Sequence, residues 1–387
     1  MGALGPPRFG VFEALAFASC PDAALMAANA LAGLRPLWLA LMLACLGWAA
    51  SSGAPAGGRV EQNLKRRVGR RIGMELDNQR RSNNIEDRRG LGGPRGGRRG
   101  GGRMPVRSGG LGLGGLIIVG LILLFFPQSR ELLGPLVTGG DLPGAASGEA
   151  APVEGARQGC NEADQTCDFV AAVLGSTEDV WGPLFQQGVL PSYAASPGAY
   201  APPILVLFDA DAVETEGCGI VPNGAGPFYC PGDRKLFINP SFWDVLSRRL
   251  SSPGDFAQAY VIAHEVGHHV QNQIGSSRLR EEAMMRGQQA GNQASVRLEL
   301  QADCFAGVWA HHANRGGQLS QGDLDEALNA AHNIGDDTLQ EAGQGYTRPE
   351  TYTHGTSDQR RRWFQRGFSD GDPRQCDTFA VRDYNQL

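Results

Sequence analysis

The feature that most constrains this chain is the run "AYVIAHEVGHHVQNQ" at residues 259–273. Its apolar residues recur at helical spacing, which predicts a helix from Asp255 to Gln273. Such a helix is apolar nearly all round and therefore belongs in a protein core. Imidazole groups buried there without partners would be costly, so the histidines in this run need a partner.

The histidine spacing predicts that this partner is a metal ion. His264 and His268 are four residues apart and project from the same helix face, where both imidazoles can reach one ion at about 2.1 Å. Glu265 lies one position further round and could take a proton from a metal-bound water. This is the H-E-x-x-H pattern of metallopeptidase helices. The alternative, a histidine pair on a solvated face, fits poorly with so apolar a helix.

A catalytic zinc ion usually takes three protein ligands and keeps a fourth position open. The third is expected from a second helical run at residues 294–310, where Glu299 and Asp303 are four residues apart. We interpret Glu299 as the ligand and Asp303 as the acceptor of a hydrogen bond from a ligating imidazole. The alternative is an ordinary charged helix face, but the apolar residues around this pair predict a buried helix.

An oxyanion formed during hydrolysis needs a donor besides the metal. His354 is the first candidate, with Tyr346 and Tyr352 as rivals. His332 is expected in a supporting position around the metal site, with Asp336 or Asp337. His269, His311 and His312 are expected to face solvent or to cap a helix end.

Charge divides the chain into two parts. Residues 1–107 hold 17 Lys and Arg against 7 Asp and Glu, whereas the remainder holds 18 against 33. Between them, residues 109–127 carry no charge and are long enough to cross roughly 30 Å of hydrocarbon as a helix. Arginines crowd the N-terminal side of this stretch, which predicts a single-pass protein of a bacterial inner or plasma membrane. The N-terminal part would be cytoplasmic and the rest periplasmic or extracellular. A buried core helix is the alternative.

The flanking segments follow from composition. Residues 74–108 are predicted to be a basic, cytoplasmic arm that touches anionic lipid, and its stretch at 86–107 is expected to be disordered. An Arg-Gly tail for nucleic acid is the alternative, but it lacks interleaved aromatic residues. Gly110 and Gly114 are four residues apart, which is a weak indication that two such spans pair in a homodimer. Residues 128–158 resemble a linker, and residues 159–387 are predicted to be the folded domain.

Residues 1–73 allow three interpretations. The apolar run at 36–50 could be the core of a signal peptide, although about 35 residues precede it. It could also be a short first span. The third interpretation is an over-extended N-terminus, with translation starting at Met74.

Six cysteines follow the predicted span, and an even number outside the membrane indicates disulfide bonds. Six cysteines allow fifteen pairings. Local spacing favours Cys160–Cys167 and Cys218–Cys230, which leaves Cys304 with Cys376. A cysteine zinc site is less favoured because no C-x₂-C pair is present.

The strand signals are few. Residues 203–208, "PILVLF", indicate a buried strand, and residues 228–238 indicate a hairpin turning at Pro231-Gly232-Asp233. Residues around 324–337 and 357–368 indicate further helices. The predicted fold class is therefore α+β, mostly helical with a small sheet.

Several quoted stretches resemble one family. "AHEVGHHVQ", "ELQADCFAGVWA", "GPFYCPGDRKLFI", "NIGDD" and "HGTSDQRRRWF" are similar to the bacterial neutral zinc metallopeptidases of the YpfJ type. The order H-E-x-x-H then E-x-x-x-D also resembles gluzincins. The likeness covers about residues 74–385 and includes the opening "MELDNQRRSNNIEDRRG", which favours the Met74 start. It implies a zincin-like domain that follows one transmembrane helix.

These observations predict a membrane-anchored peptidase with one Zn²⁺ held by His264, His268 and Glu299. Glu265 would be the general base, and a peptide or protein would be the substrate. The alternative is a membrane-anchored binding or scaffold protein with a non-catalytic metal site. The peptidase is favoured because Glu265 has no purpose in a purely structural site.

Overall fold

A computed structural model describes residues 73–92, 155–161, 163–193 and 197–387. The predictions for residues 1–72, 93–108, the span 109–127 with its two glycines, and most of the linker lie outside these ranges. Among the described residues, no helix combines the length and the apolar character needed to cross a membrane.

A mixed five-stranded sheet forms one layer of the domain. Its spatial order is β2, β1, β3, β7, β6, so that β2 and β6 are the edges. The strands are β1 (Ile85–Asp87), β2 (Arg157–Gln158), β3 (Ile204–Leu207), β6 (Phe228–Cys230) and β7 (Lys235–Ile238). β3 pairs in parallel with both neighbours, and β6 pairs antiparallel with β7. The predicted buried strand and hairpin are therefore confirmed. A separate hairpin joins β4 (Ala212–Thr215) to β5 (Gly219–Pro222).

Helices form the larger part of the described structure. They are α1 (Gln165–Gln187), α2 (Asp255–Ile274), α3 (Ser277–Met284), α4 (Gln288–Arg315), α5 (Asp323–Asn333), α6 (Asp336–Gln344) and α7 (Ser357–Asp370). A short helical turn, Phe242–Asp244, continues into a π-helical turn, Val245–Arg249. The predicted helices are present, and the α+β class, mostly helical with a small sheet, is confirmed. α1 was not anticipated.

The prediction of a separate arm at residues 74–108 is wrong for its first part. Residues 85–87 form β1, which pairs in parallel with β3 and antiparallel with β2. Ile85 is fully buried, and the backbone N–H of Met74 donates to Asp255 Oδ2 at 2.8 Å. The arginines of this segment have carboxylate partners in the domain, which is why a charged stretch can fold here.

The predicted topology stays a prediction, because the span lies outside the described residues. β1 pairs with β3 in one sheet, and a single crossing between residues 92 and 155 would separate these two strands. The folded domain therefore begins before the predicted boundary at residue 159.

Helices α2, α4 and α7 pack closely because glycines lie at their contacts. A Cβ atom added at Gly307 of α4 would lie 2.1 Å from the carbonyl oxygen of Phe364, and one at Gly367 of α7 would lie 2.0 Å from that of Cys304. Gly267, inside the H-E-x-x-H run, lies against the Ala302 backbone. Side chains on these three helices can therefore meet across short distances.

Local chemistry defines the start of α7. The Thr356 hydroxyl accepts a hydrogen bond from the Gln359 backbone N–H, and the Gln359 side chain accepts one from the Thr356 N–H. This capping box satisfies two backbone donors that a helix start leaves without partners. It begins α7 at Ser357 and thereby sets which residues of α7 face α4.

Three disulfides are present among the described residues. They join Cys160 to Cys167, Cys218 to Cys230, and Cys304 to Cys376. The predicted pairing is confirmed. The second bond attaches the β4–β5 hairpin to edge strand β6, and the third attaches the C-terminal segment to α4.

Candidate metal centre

Two helices bring the predicted ligands together. His264 and His268 project from one face of α2, and Glu299 projects toward them from α4. The Nε2 atom of His264 lies 3.2 Å from Glu299 Oε2, and that of His268 lies 3.5 Å from Glu299 Oε1. One donor atom from each of the three residues lies within 4.8 Å of the others. The predicted convergence of two imidazoles and one carboxylate is therefore what the structure has.

Hydrogen bonds orient both imidazoles toward Glu299. His264 Nδ1 donates to Asp303 Oδ1 at 2.9 Å, and His268 Nδ1 donates to Gln271 Oε1 at 2.9 Å. The Gln271 amide nitrogen is held by the carbonyl of Leu298, which leaves its oxygen to accept. Each Nε2 atom can therefore present a lone pair to an ion between the rings.

The charges of this cluster suit a cation. Burial lowers the pKa of His264, but the charge of Asp303 and the hydrogen bonds that the ring donates to both carboxylates raise it to about 10. Burial would likewise raise the pKa of Glu299, but the neighbouring imidazoles hold it well below its usual value. The site thus keeps a proton on His264 between two carboxylates. A divalent ion would displace that proton. The residues present fit zinc, which takes nitrogen and oxygen ligands in this number.

Glu265 lies beside the cluster and is buried. Burial raises its pKa to about 8, and the nearby charge of Glu299 acts in the same direction, although the charge of His264 opposes both. A backbone hydrogen bond from Tyr229 of strand β6 reaches its carboxylate. Glu265 is thus a buried carboxyl group beside the metal ligands, one helix position away from His264. A cation bound by those ligands would lower its pKa and favour the ionised form, which can accept a proton.

Asp303 is the centre of a buried hydrogen-bond network under His264. Its Oδ1 atom accepts from His264 Nδ1, from the Tyr260 hydroxyl at 2.5 Å and from Arg360 Nη2 at 3.0 Å. Its Oδ2 atom accepts from Arg360 Nε at 2.8 Å. The predicted contact between Asp303 and a histidine is therefore present. The ion pair with Arg360 keeps the buried carboxylate charged.

Sequence reasoning missed Tyr260 and Arg360. A weak signal existed for each. Tyr260 lies four residues before His264, on the same face of α2, and its buried hydroxyl needs an acceptor. Arg360 lies three and four residues before Trp363 and Phe364, which places it on the buried face of α7. Neither signal says which carboxylate the side chain contacts.

His354 lies at the same site, on the loop before α7. It is buried, its Nδ1 atom bonds Asp336 Oδ1 at 2.8 Å, and its charge acts on Glu299. Asp336 also accepts backbone N–H groups of Thr353, His354 and Gly355. The expected pairing of Asp336 or Asp337 with His332 is wrong, because Asp336 holds His354 and Asp337 binds Ser357.

The other candidate residues lie elsewhere. His269 was expected to face solvent or cap a helix end, but it is buried between the Ala201 carbonyl at 2.6 Å and the Tyr229 hydroxyl at 3.1 Å. His311 and His312 bond carbonyls at the end of α7, as capping groups would. Tyr346 is 55% exposed, whereas Tyr352 is buried near Asp336 and Asp337.

A second carboxylate group occurs where α2 and α5 begin. Asp255, Asp323 and Glu326 each offer one oxygen within 4.8 Å of the others. Each also accepts a backbone N–H, from Met74, Ser320 and Phe256 respectively. These bonds already occupy an oxygen of each carboxylate, so we assign no ion to them.

Comparison with known proteins gives the family. Residues 74–379 match the family described as "Putative neutral zinc metallopeptidase". The chain belongs to this family. The residues that form the cluster of α2 and α4, and those of strands β1 to β7, all lie within the match.

Two relatives illustrate the extent of the similarity. The Escherichia coli K12 protein titled "Uncharacterized protein YpfJ" is 42% identical over 315 residues, covering 79% of this chain and 99% of the relative. The Mycobacterium tuberculosis H37Rv protein titled "Uncharacterized protein Rv2575" is 41% identical over 228 residues, covering 55% of this chain and 71% of the relative. No solved structure matches the chain significantly.

Proposed function

We propose that the chain is a zinc-dependent peptidase that hydrolyses peptide bonds by activating water. The observation that carries this proposal is the convergence of His264, His268 and Glu299 beside the buried carboxylate of Glu265. A purely structural metal site does not require a carboxyl group at position 265, whereas hydrolysis requires a proton acceptor there. One Zn²⁺ per chain would be held by the three residues.

When bound, zinc would supply a Lewis acid that polarises the scissile carbonyl and lowers the pKa of water to about 7. Glu265 then accepts the proton of the attacking water and passes it to the departing amine. The Tyr229 backbone N–H holds the Glu265 carboxylate in place during both transfers. Asp303 holds His264 in the tautomer that leaves Nε2 free.

His354 is the proposed donor to the oxyanion of the tetrahedral intermediate. Its Nδ1 atom is engaged by Asp336, which orients the ring and leaves Nε2 for the substrate. The Asp336 carboxylate is itself held by three backbone N–H groups, so the ring stays in one position. A donor that is fixed in advance stabilises a developing negative charge without having to reorganise.

The substrate is proposed to be an extended peptide beside β6. β6 is an edge of the sheet, and its central residue Tyr229 reaches Glu265. A peptide that pairs with a sheet edge has its backbone fixed by main-chain hydrogen bonds. The three disulfides support an oxidising compartment for the domain. We also propose that the chain is attached to a membrane.

The experiment uses the full chain. Zinc is measured by elemental analysis, and cleavage of a peptide library is followed with and without a chelator. We expect one zinc per chain and cleavage that the chelator stops. Glu265→Gln should lower the cleavage rate by about 100-fold to 10,000-fold, which is the contribution typical of a general base. Glu341→Gln, the same change at an exposed position, should cleave like the wild type.

Two outcomes would separate the alternatives. Stoichiometric zinc without chelator-sensitive cleavage would favour a binding or scaffold protein with a non-catalytic metal site. Cleavage that survives in Glu265→Gln at the wild-type rate would remove Glu265 from the mechanism.

A further inference from the structure

Arg280 of helix α3 is a half-buried cation that no described carboxylate neutralises. Its Nε atom donates to the Ser295 hydroxyl at 3.0 Å, and its Nη2 atom lies 3.3 Å from the sulfur of Met284. Both contacts are with neutral groups. No carboxylate of the described residues forms an ion pair with its guanidinium, and the nearest negative charges acting on it are those of Glu281 and Glu299.

Two of the more deeply placed arginines, Arg360 and Arg89, differ in this respect. Arg360 binds both oxygens of Asp303, and Arg89 binds both oxygens of Asp87. Burial lowers the pKa of Arg280 to about 10, which still leaves the side chain charged at neutral pH. Placing a charge in a partly dry site without a counter-ion is costly, so an anion supplied from outside the chain would relieve that cost.

Arg280 lies close to the proposed reaction centre. Ser295, which holds its Nε atom, is four residues before Glu299 on α4, so the two side chains lie on one helix face. Four residues of helix correspond to about 6 Å, and an extended peptide advances about 3.4 Å per residue. The charge of Glu299 also acts on Arg280, so an anion bound to Arg280 would lie near the proposed metal ligands, within reach of a peptide held there.

The guanidinium is prepared for such a ligand. An arginine side chain carries five N–H donors, and the contacts with Ser295 and Met284 use two of them. The remaining donors can form paired hydrogen bonds with a carboxylate, which is the group whose planar shape matches a guanidinium. Ser295 is itself fixed by a hydrogen bond to the Gly291 carbonyl at 3.0 Å, so the arginine is held in one orientation.

We propose that Arg280 binds a carboxylate of the peptide substrate and makes the enzyme selective for anionic peptides. The carboxylate is either the free C-terminus near the scissile bond or an acidic side chain at that position. This inference rests on the proposed peptidase function for its biological meaning, but the binding site can be tested without cleavage.

The test measures peptide binding to the zinc-loaded, full-length Glu265→Gln variant, which should bind substrates without cleaving them. Four versions of one peptide are compared: free C-terminus or C-terminal amide, each with an acidic residue or its amide counterpart near the end. We expect a carboxylate to strengthen binding by about tenfold to a hundredfold, the range for hydrogen bonds to charged groups. The pair of peptides that shows the difference identifies which carboxylate Arg280 binds.

Arg280→Gln in that background should abolish the preference, and Arg280→Lys should retain part of it, because lysine keeps the charge and loses the paired geometry. Arg286→Gln provides the matched control, since Arg286 is exposed at the end of the same segment. Zinc content and the midpoint of thermal unfolding show whether each variant is folded.

The two proposals fail in different ways. If the wild type cleaves peptides but Arg280→Gln discriminates carboxylate from amide as the wild type does, the assignment of Arg280 is overturned and the peptidase stands. If no cleavage occurs but binding depends on Arg280 and on a carboxylate, the anion site stands alone. If Arg280→Gln does not fold, equal binding of all four peptides to the parent variant would overturn the assignment.

Discussion

At the scale of single residues, Asp303 fixes the orientation of His264, one of the three proposed metal ligands. It accepts hydrogen bonds from Tyr260, His264 and Arg360, and it is fully buried. Arg360 supplies the positive charge that allows a carboxylate to stay ionised in this position. The carboxylate then fixes the ring of His264, which leaves the opposite nitrogen facing Glu299.

Asp303→Asn is expected to weaken zinc binding by about 10-fold to 100-fold, because the acceptor that orients the ring of His264 loses its negative charge and gains an NH2 group that Arg360 cannot bind. Competition with a chelator of known affinity measures the change. Asp325→Asn, at an exposed position of α5, is the control and should bind zinc like the wild type. An unchanged affinity in Asp303→Asn would show that the hydrogen bond does not orient a ligand.

At the scale of elements, β1 shows how a charged segment becomes the interior of a sheet. Glu86 is buried and accepts hydrogen bonds from Lys235 Nζ of β7 at 2.8 Å and from Arg88 Nε at 2.7 Å. Asp87 binds both Arg89 and Arg157. β1 therefore brings its own counter-ions and takes further ones from β2 and β7.

Acid should weaken this attachment. Burial would raise the pKa of Glu86 and Asp87, but the hydrogen bonds from the arginines and the lysine hold both below the ordinary values of 4.5 and 3.8. Carboxylates with lowered pKa values stabilise the fold above those ordinary values and lose that contribution as the pH falls through the folded pKa. We expect the unfolding free energy to fall below about pH 4.5, as measured by denaturant titration across the pH range.

Lys235→Met tests the same network at neutral pH. Removing one partner of a buried ion pair costs about 3–5 kcal/mol. The variant should also lose less stability in acid, because the pKa of Glu86 is then less depressed. Arg248→Met, which breaks an exposed pair with Asp244, should change the unfolding free energy little. Equal effects of the two substitutions would contradict the role of Lys235.

At the scale of the whole molecule, the disulfides differ in the length of chain that they close. Cys304–Cys376 closes 72 residues, whereas Cys160–Cys167 closes 7. Loop-closure entropy predicts stabilisation of about 4 kcal/mol for the long loop and about 2 kcal/mol for the short one.

We therefore expect the double variant Cys304→Ala with Cys376→Ala to lower the unfolding free energy more than Cys160→Ala with Cys167→Ala. Guanidinium titration of both variants under non-reducing conditions measures the difference. The long disulfide also lies next to Asp303, so its loss should weaken zinc binding, and the short one should not. The reverse order of stability would contradict the dependence on loop length.

We also expect β1 and the rest of the domain to lie on the same side of a membrane, because β1 pairs with β3. Leu91 and Tyr346 are exposed, and a cysteine at either position should react with a membrane-impermeant thiol reagent from the same side of the cell membrane. Cys20 and Cys45 are replaced by serine in this background. Labelling of one position in intact cells without the other would show that β1 and β3 do not pair there.

Local spacing determined a large part of this protein. The four-residue intervals of His264 with His268 and of Glu299 with Asp303 were sufficient to predict the two helix faces that meet at the candidate metal centre. The cysteine spacing was sufficient for the disulfide pairing, and the run at 203–208 for a buried strand. In each case the information lies within one element or in the separation of a few residues, where helix and strand geometry leave little freedom.

Only the tertiary structure decided which of these faces meet. Three features join residues that are distant in sequence. Tyr260 and Arg360 surround Asp303, Asp336 binds His354, and β1 enters the sheet beside β3. A charged side chain has the same local pattern whether it faces water or a buried counter-ion. The difference arises from helices α2, α4 and α7 packing through their glycines, and from Lys235 meeting Glu86, and no periodicity within one element encodes those contacts.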